Sequence, residues 1–180
     1  MLPCLYCESA AGDLPQAIVF ADEAVVAFLD WRQHAPGHVL IIPRRHLSAS
    51  EVFAGTVGVA LMRTAMRIAE VMRSVVDPDG VQVGAILLPG RGHHAAARSS
   101  GLPRPLGDDA AVTETSEDGH FHLHVLPRQY RGQLARIYPF GDEVASEEGL
   151  QILAARLRAA LDAAGAKQHP NPQAAGGLDA

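Results

Sequence analysis

The 180-residue chain has only two cysteines, no apolar run near the roughly 20 residues a membrane span needs, and no basic stretch leading into an apolar one at its start. Two cysteines cannot build the disulfide framework of a small secreted domain. The sequence therefore predicts a reducing, cytoplasmic setting with no membrane segment and no targeting signal. An excess of positive charge is missing too. Lys and Arg number 15 against 20 Asp and Glu, giving net charge −5 and a pI near 5.9, which offers no electrostatic footprint for a polyphosphate backbone. Nucleic acid is excluded as a general partner. There is no internal repeat. What is present is apolar material: 48% hydrophobic residues against 19% charged suffice for one ordinary domain with a real core.

The chain opens with Cys4-Leu5-Tyr6-Cys7, then a turn at Asp13 and Pro15. Ile18-Val19-Phe20 and Val25 to Leu29 read as strands joined by a tight connection at Asp22-Glu23, and His38 to Ile42 as a third strand stopped by Pro43. Ser48 with Glu51 forms a capping box ahead of Val52, Val59, Met62, Met66, Ala69 and Met72, which predicts one long helix over about 50–75. Strand character returns at Val81 to Leu88. From 89 to 119 the chain turns to Gly, Pro, Ser and Ala without a period, a long loop. Glu147 to Ala163 carries Leu150, Leu153, Leu157 and Leu161 on one helical stripe, and a Gly-, Pro- and Ala-rich tail follows. The expected organisation is one domain over 1–164, with its insertion at about 89–119, and a flexible tail over 165–180.

The sharpest feature is His120-Phe121-His122-Leu123-His124-Val125-Leu126. In a strand, residues at i, i+2 and i+4 share a face at about 6.6 Å per step. Three imidazoles then line one surface while Phe121, Leu123 and Val125 supply a core face. On a helix the same spacing would scatter them by about 200° per step. Imidazole serves as nucleophile, proton carrier or metal ligand, so residue type alone does not select among these. Cys4-x-x-Cys7 is likewise either a zinc half-site or a redox pair, and no preceding parallel strand supports the redox reading.

The alternating segment His120 to Leu126 resembles the signature of the histidine-triad (HIT) superfamily. The likeness extends to Cys4-x-x-Cys7, to Val26-Ala27-Phe28-Leu29-Asp30, and to the run from Ala35 through Pro43-Arg44-Arg45-His46, in that order. The resemblance implies an α+β fold: an antiparallel β-sheet with one long and one C-terminal helix, assembled as a homodimer. It implies a hydrolase or nucleotidyl transferase acting at the α-phosphate of a small nucleotide conjugate, such as a nucleoside phosphoramidate or a dinucleoside polyphosphate. His122 corresponds to the nucleophile that forms a nucleotidyl-histidine intermediate, His124 to a contact of the α-phosphate, and His38 to a further active-site histidine. Asp30 corresponds to the residue that binds the ribose hydroxyls, with Phe28 and Trp31 near the base. In zinc-containing relatives the two cysteines and two histidines hold a structural metal, which here implies Cys4, Cys7, His46 and His120.

Two departures from the family pattern stand out. Thr115-Ser116-Glu117-Asp118-Gly119 replaces the Gly-Gln-Ser/Thr stretch that helps hold phosphate, and Ala85-Ile86-Leu87-Leu88 lacks the expected Asn. The insertion supplies His93, His94, Arg98, Ser99 and Arg104, which suit a lid with new recognition residues. The alternative is a zinc-stabilised nucleotide-binding or interaction module with altered or lost turnover.

Overall fold

Alternation and β-branching early in the chain deliver the strands they predict. In a computed structural model that describes residues 4–14, 16–85, 119–129 and 143–168, β1 (Ile18–Ala21) and β2 (Val25–Leu29) form a hairpin. Asp22 closes it: its Oδ1 accepts the backbone N–H groups of Ala24 and Val25, both at 2.8 Å, the local bond that makes Asp a turn former. After the two-residue β3 (Arg32–Gln33), β4 (Val39–Pro43), β5 (Gly80–Gly84) and β6 (Leu123–Arg128) complete an antiparallel sheet in the order β1-β2-β4-β6-β5. β3 pairs separately with β7 (Glu143–Val144). Residues 86–88, the rest of the expected insertion up to 118 and the tail from 169 lie outside the described residues.

The helices differ more from expectation. Cys4 to Cys7 opens a helix, α1 (Leu5–Ala11), ended by Gly12 at φ +87°. The single helix expected over 50–75 is two, α2 (Ala49–Ala54) and α3 (Val57–Val75). The capping box forms as read, with Ser48 and Glu51 satisfying each other's backbone N–H. Helix-compatible apolar spacing runs across the break. Gly55, extended at φ −107° and ψ −180°, stops α2, in line with its poor helix preference. The C-terminal helix α4 runs Glu147–Gln168.

α3 and α4 cover one face of the sheet. There Leu61, Ala65, Ile68 and Met72 of α3 and Leu150, Ala154, Leu157 and Leu161 of α4 close on Ala27, Val39, Ile41, Leu123 and Val125. Each large side chain so buried contributes about 2 kcal/mol of transfer free energy, so this face carries most of the stability. Among the described residues the opposite face holds a smaller apolar cluster, Val26, Phe28, Leu40 and Ile42 beneath Ala10 of α1, with Tyr6 and Ile18 alongside. Register sets what else lies there: Phe28 faces Leu40, and Leu40 faces His124. Val59, Met62 and Met66, three of the expected helix stripe, are instead exposed, a second apolar stripe that turns away from the core.

Candidate active site and metal centre

Period two projects the three histidines from the α1 face, as the alternation requires. β6 itself begins only at Leu123. Its partner β4 ends at Pro43, which has no N–H to extend a ladder, and Phe121 N–H instead donates to Leu47 O at 2.8 Å. His120 and His122 therefore sit on extended chain just before the strand. Their rings belong to a continuous row: His46 to His120 at 4.9 Å between centroids, His122 to His124 at 5.0 Å, His124 to His38 at 5.2 Å and His38 to His34 at 4.9 Å. Tyr6, carried by α1, bridges the gap between His120 and His122 at 5.7 and 4.9 Å.

What each ring can do depends on what its other nitrogen holds. His120 Nε2 lies 2.9 Å from Pro43 O. A carbonyl only accepts, so Nε2 carries the proton and Nδ1 offers its lone pair. That lone pair faces Cys4 Sγ at 3.6 Å and Cys7 Sγ at 3.5 Å, and Cys7 Sγ is 3.3 Å from His46 Nδ1. The four donor atoms lie within 4.8 Å of one another. Two thiols converging on one lone pair make a poor hydrogen-bond set, but spacings near 3.5 Å match the edges of a tetrahedron with Zn–S about 2.3 Å and Zn–N about 2.1 Å. Cys4, Cys7, His46 and His120 thus fit a metal. Without a cation, burial, and after it Cys4, push the Cys7 thiol up to about 11, and burial lowers His120 to about 4.

His122 Nδ1 lies 3.2 Å from His120 O. By the same reasoning Nδ1–H donates and Nε2 carries the lone pair. Burial lowers the pKa of this ring, partly offset by that carbonyl, so the neutral form is the one present near pH 7. His124 Nδ1 is 2.9 Å from His38 Nε2, and His38 Nδ1 faces Asp30 Oδ2 at 3.3 Å. Burial, followed by His122 and His34, lowers His124 to about 4. The Asp30 charge beside Nδ1 favours the His38 tautomer that carries its proton there, with Nε2 accepting from His124.

Asp30, His34 and His38 owe their places to a residue the sequence does not single out. Gln33 is 9% exposed. Its Nε2 donates to Asp30 O and His38 O, while its Oε1 accepts Gly37 N–H at 2.6 Å and His38 N–H at 3.0 Å. Gly37 completes the turn at φ +101°, where an added Cβ would lie 3.1 Å from Val76. Tyr6 and His34 likewise carry no signal in the sequence. The place of Tyr6 between two cysteines carries no pattern of its own.

All ten residues expected at the site have described positions. His38, His120, His122 and His124 come together, with Asp30 at one end and Cys4, Cys7 and His46 at the other. Phe28 is 3% exposed in the smaller apolar cluster, and Trp31 is 45% exposed at the end of β2. The expected replacements His93, His94, Arg98, Ser99 and Arg104 lie outside the described residues. Arg128, the strand's last residue, is buried and donates to Gln82 Oε1. Among the described residues no helix is long and apolar enough to cross a membrane.

Comparison with known proteins gives one consistent answer. The profile of the HIT domain matches residues 11–92. The chain is similar to Protein hit of Bacillus subtilis, 29% identical over 129 residues, covering 72% of this chain and 73% of that one. An uncharacterized HIT-like protein of Mycobacterium tuberculosis is 27% identical over 131 residues, covering 70% and 72%. Among solved structures, a Zn-bound histidine triad family protein from Mycobacterium smegmatis shares the fold at TM-score 0.63 and 24% identity, covering 91% of this chain and 96% of that one. A HIT family member from Bacillus subtilis does so at 0.53 and 25%, covering 86% and 94%.

Proposed function

Because the chain belongs to the histidine-triad family, we propose that it cleaves small nucleotide conjugates at the α-phosphate, with His122 as nucleophile. The observation that carries this reading is the His122 Nδ1 contact with His120 O at 3.2 Å, which keeps Nε2 as a lone pair on the face opposite the core. In the first step Nε2 forms a bond to the α-phosphorus while the bond to the leaving group breaks and its electron pair departs. The ring, now cationic, still donates Nδ1–H to the His120 carbonyl, which stabilises the positive charge. Water then attacks phosphorus, the P–N electron pair returns to Nε2, the proton of the attacking water passes to solvent and nucleoside monophosphate leaves. His124 contacts the α-phosphate, and His38 and Asp30 hold its ring orientation. Asp30 binds the ribose hydroxyls, with Trp31 beside the base and Phe28 packed behind.

At the other end Cys4, Cys7, His46 and His120 hold a structural zinc. Their donor spacing and the His120 tautomer support this, as does the Zn-bound relative of the same fold. Zinc binding there ties α1 to the chain leading into His122 and leaves no open coordination position for chemistry. Thiolate ligands call for a reducing, cytoplasmic setting. The exposed stripe of Val59, Met62 and Met66 beside β5, the edge strand among the described residues, with an apolar groove of about 490 Å³, supports a homodimer. Sedimentation should give twice the chain mass, and Met62→Glu should halve it; a monomeric wild type would remove the dimer.

Turnover is tested on a panel of adenosine and guanosine phosphoramidates and dinucleoside polyphosphates. His122→Asn should lose at least about a thousandfold in nucleoside monophosphate release with its unfolding curve unchanged. Wild type that binds nucleotide without turning over any of the panel would favour a binding module instead.

A further inference from the structure

Besides the Cys/His group, the described residues contain one more cluster with ligand geometry: Asp30, His34 and His38, whose donor atoms lie within 4.8 Å of one another. His34 is the unexplained member. Its Nδ1 is sequestered from solvent with no hydrogen-bond partner among the described residues, a costly state for a ring nitrogen unless something occupies it. The catalytic reading uses Asp30 and His38 but has no work for His34. Nor is the loop improvised: the Gln33 amide clamps both ends of it, so the three side chains are held near one another before any ligand arrives.

We propose that Asp30, His34 and His38 form a second, exchangeable site for a borderline divalent cation of the zinc class, whose occupancy blocks the catalytic site. Two imidazoles and a carboxylate with an open fourth position are a common zinc set, weaker than a closed site with two thiolates. The 3.3 Å between His38 Nδ1 and Asp30 Oδ2 matches two ligands about 2.1 Å from a shared ion. The Arg128 guanidinium lies near enough to act on the charge of His34. Arg128 also opposes the added positive charge, in keeping with a site that fills at raised cation levels and empties again. The proton balance closes. The cation displaces the His38 Nδ1 proton to solvent, the His124 Nδ1 proton passes across the 2.9 Å contact to His38 Nε2, and His124 Nε2 takes one proton from solvent. Both rings stay neutral. Occupancy removes the Asp30 carboxylate from ribose, the point at which the inference rests on the proposed function.

Zinc and cobalt titrations of the full chain test it, with His34→Gln as the discriminating variant. Wild type should take up about two equivalents per chain, and His34→Gln about one, the retained cobalt spectrum being the thiolate charge-transfer band of the cysteine site. In turnover assays free zinc should raise KM for wild type, while His34→Gln keeps the zinc-free activity and resists the cation. A wild type that saturates at one equivalent, a variant that retains two, or equal inhibition of both would overturn the proposal. If neither protein turns over any substrate without added zinc, the catalytic reading has failed, and the equivalents decide the site by themselves.

Discussion

The two ends of the imidazole row teach more together than either alone. At the His120 end the ring gives its Nε2 proton to a backbone carbonyl and turns Nδ1 toward two sulfurs. At the His38 and His124 end each ring passes a proton toward a carboxylate. Between them His122 gives Nδ1–H to a carbonyl, which leaves Nε2 as its lone pair. One residue type at one spacing thus acquires three chemistries, and the backbone carbonyls of Pro43 and His120 make the distinction. The metal end is fastened by side chains far apart in sequence, the relay end by the short segment from Asp30 to His38 together with His124 of β6. Their failure modes should differ accordingly.

Removing the metal should break the first end most. Dialysis against a strong chelator is expected to lower unfolding free energy by about 3 kcal/mol, less than the ~10 kcal/mol of zinc fingers because the α3/α4 core is independent of it. Cys4→Ser should do the same, and re-addition of zinc should restore only the wild type. An apo protein as stable as the holo form would contradict the structural role. At the relay end Gln33→Ala leaves Gly37 N–H without its acceptor and takes the Gln33 donor from Asp30 O and His38 O, and an expected loss of about 2 kcal/mol follows. Its sharper signature is in turnover: kcat should fall while zinc content stays at the wild-type level. A Gln33→Ala protein with normal kcat would show that the loop needs no clamp.

The sequence carried the row because binary alternation survives in a strand whatever its neighbours. It carried β1, β2 and β4 because β-branched runs between turn formers allow little else. α1 was not legible: seven residues with no side-chain cap at Cys4 leave no periodic signal, and the cysteines invite a metal reading instead. The break at Gly55 was hidden by apolar residues that keep helical spacing on both sides of it. Gln33, in the two-residue β3, and His34, just after it, carry no periodic signal, and only contacts across the fold assign them a role. The start of β6 at Leu123 depended on where β4 ends, which is a property of the pair.

The central claim is that His122 is transiently bonded to phosphorus. The most direct measurement is the stereochemical course at the α-phosphorus, using an α-thiophosphate conjugate of one configuration hydrolysed in heavy-oxygen water. Two successive displacements, one by His122 Nε2 and one by water, predict retention of configuration. Inversion would mean that water attacks directly and that His122 is never bonded to substrate.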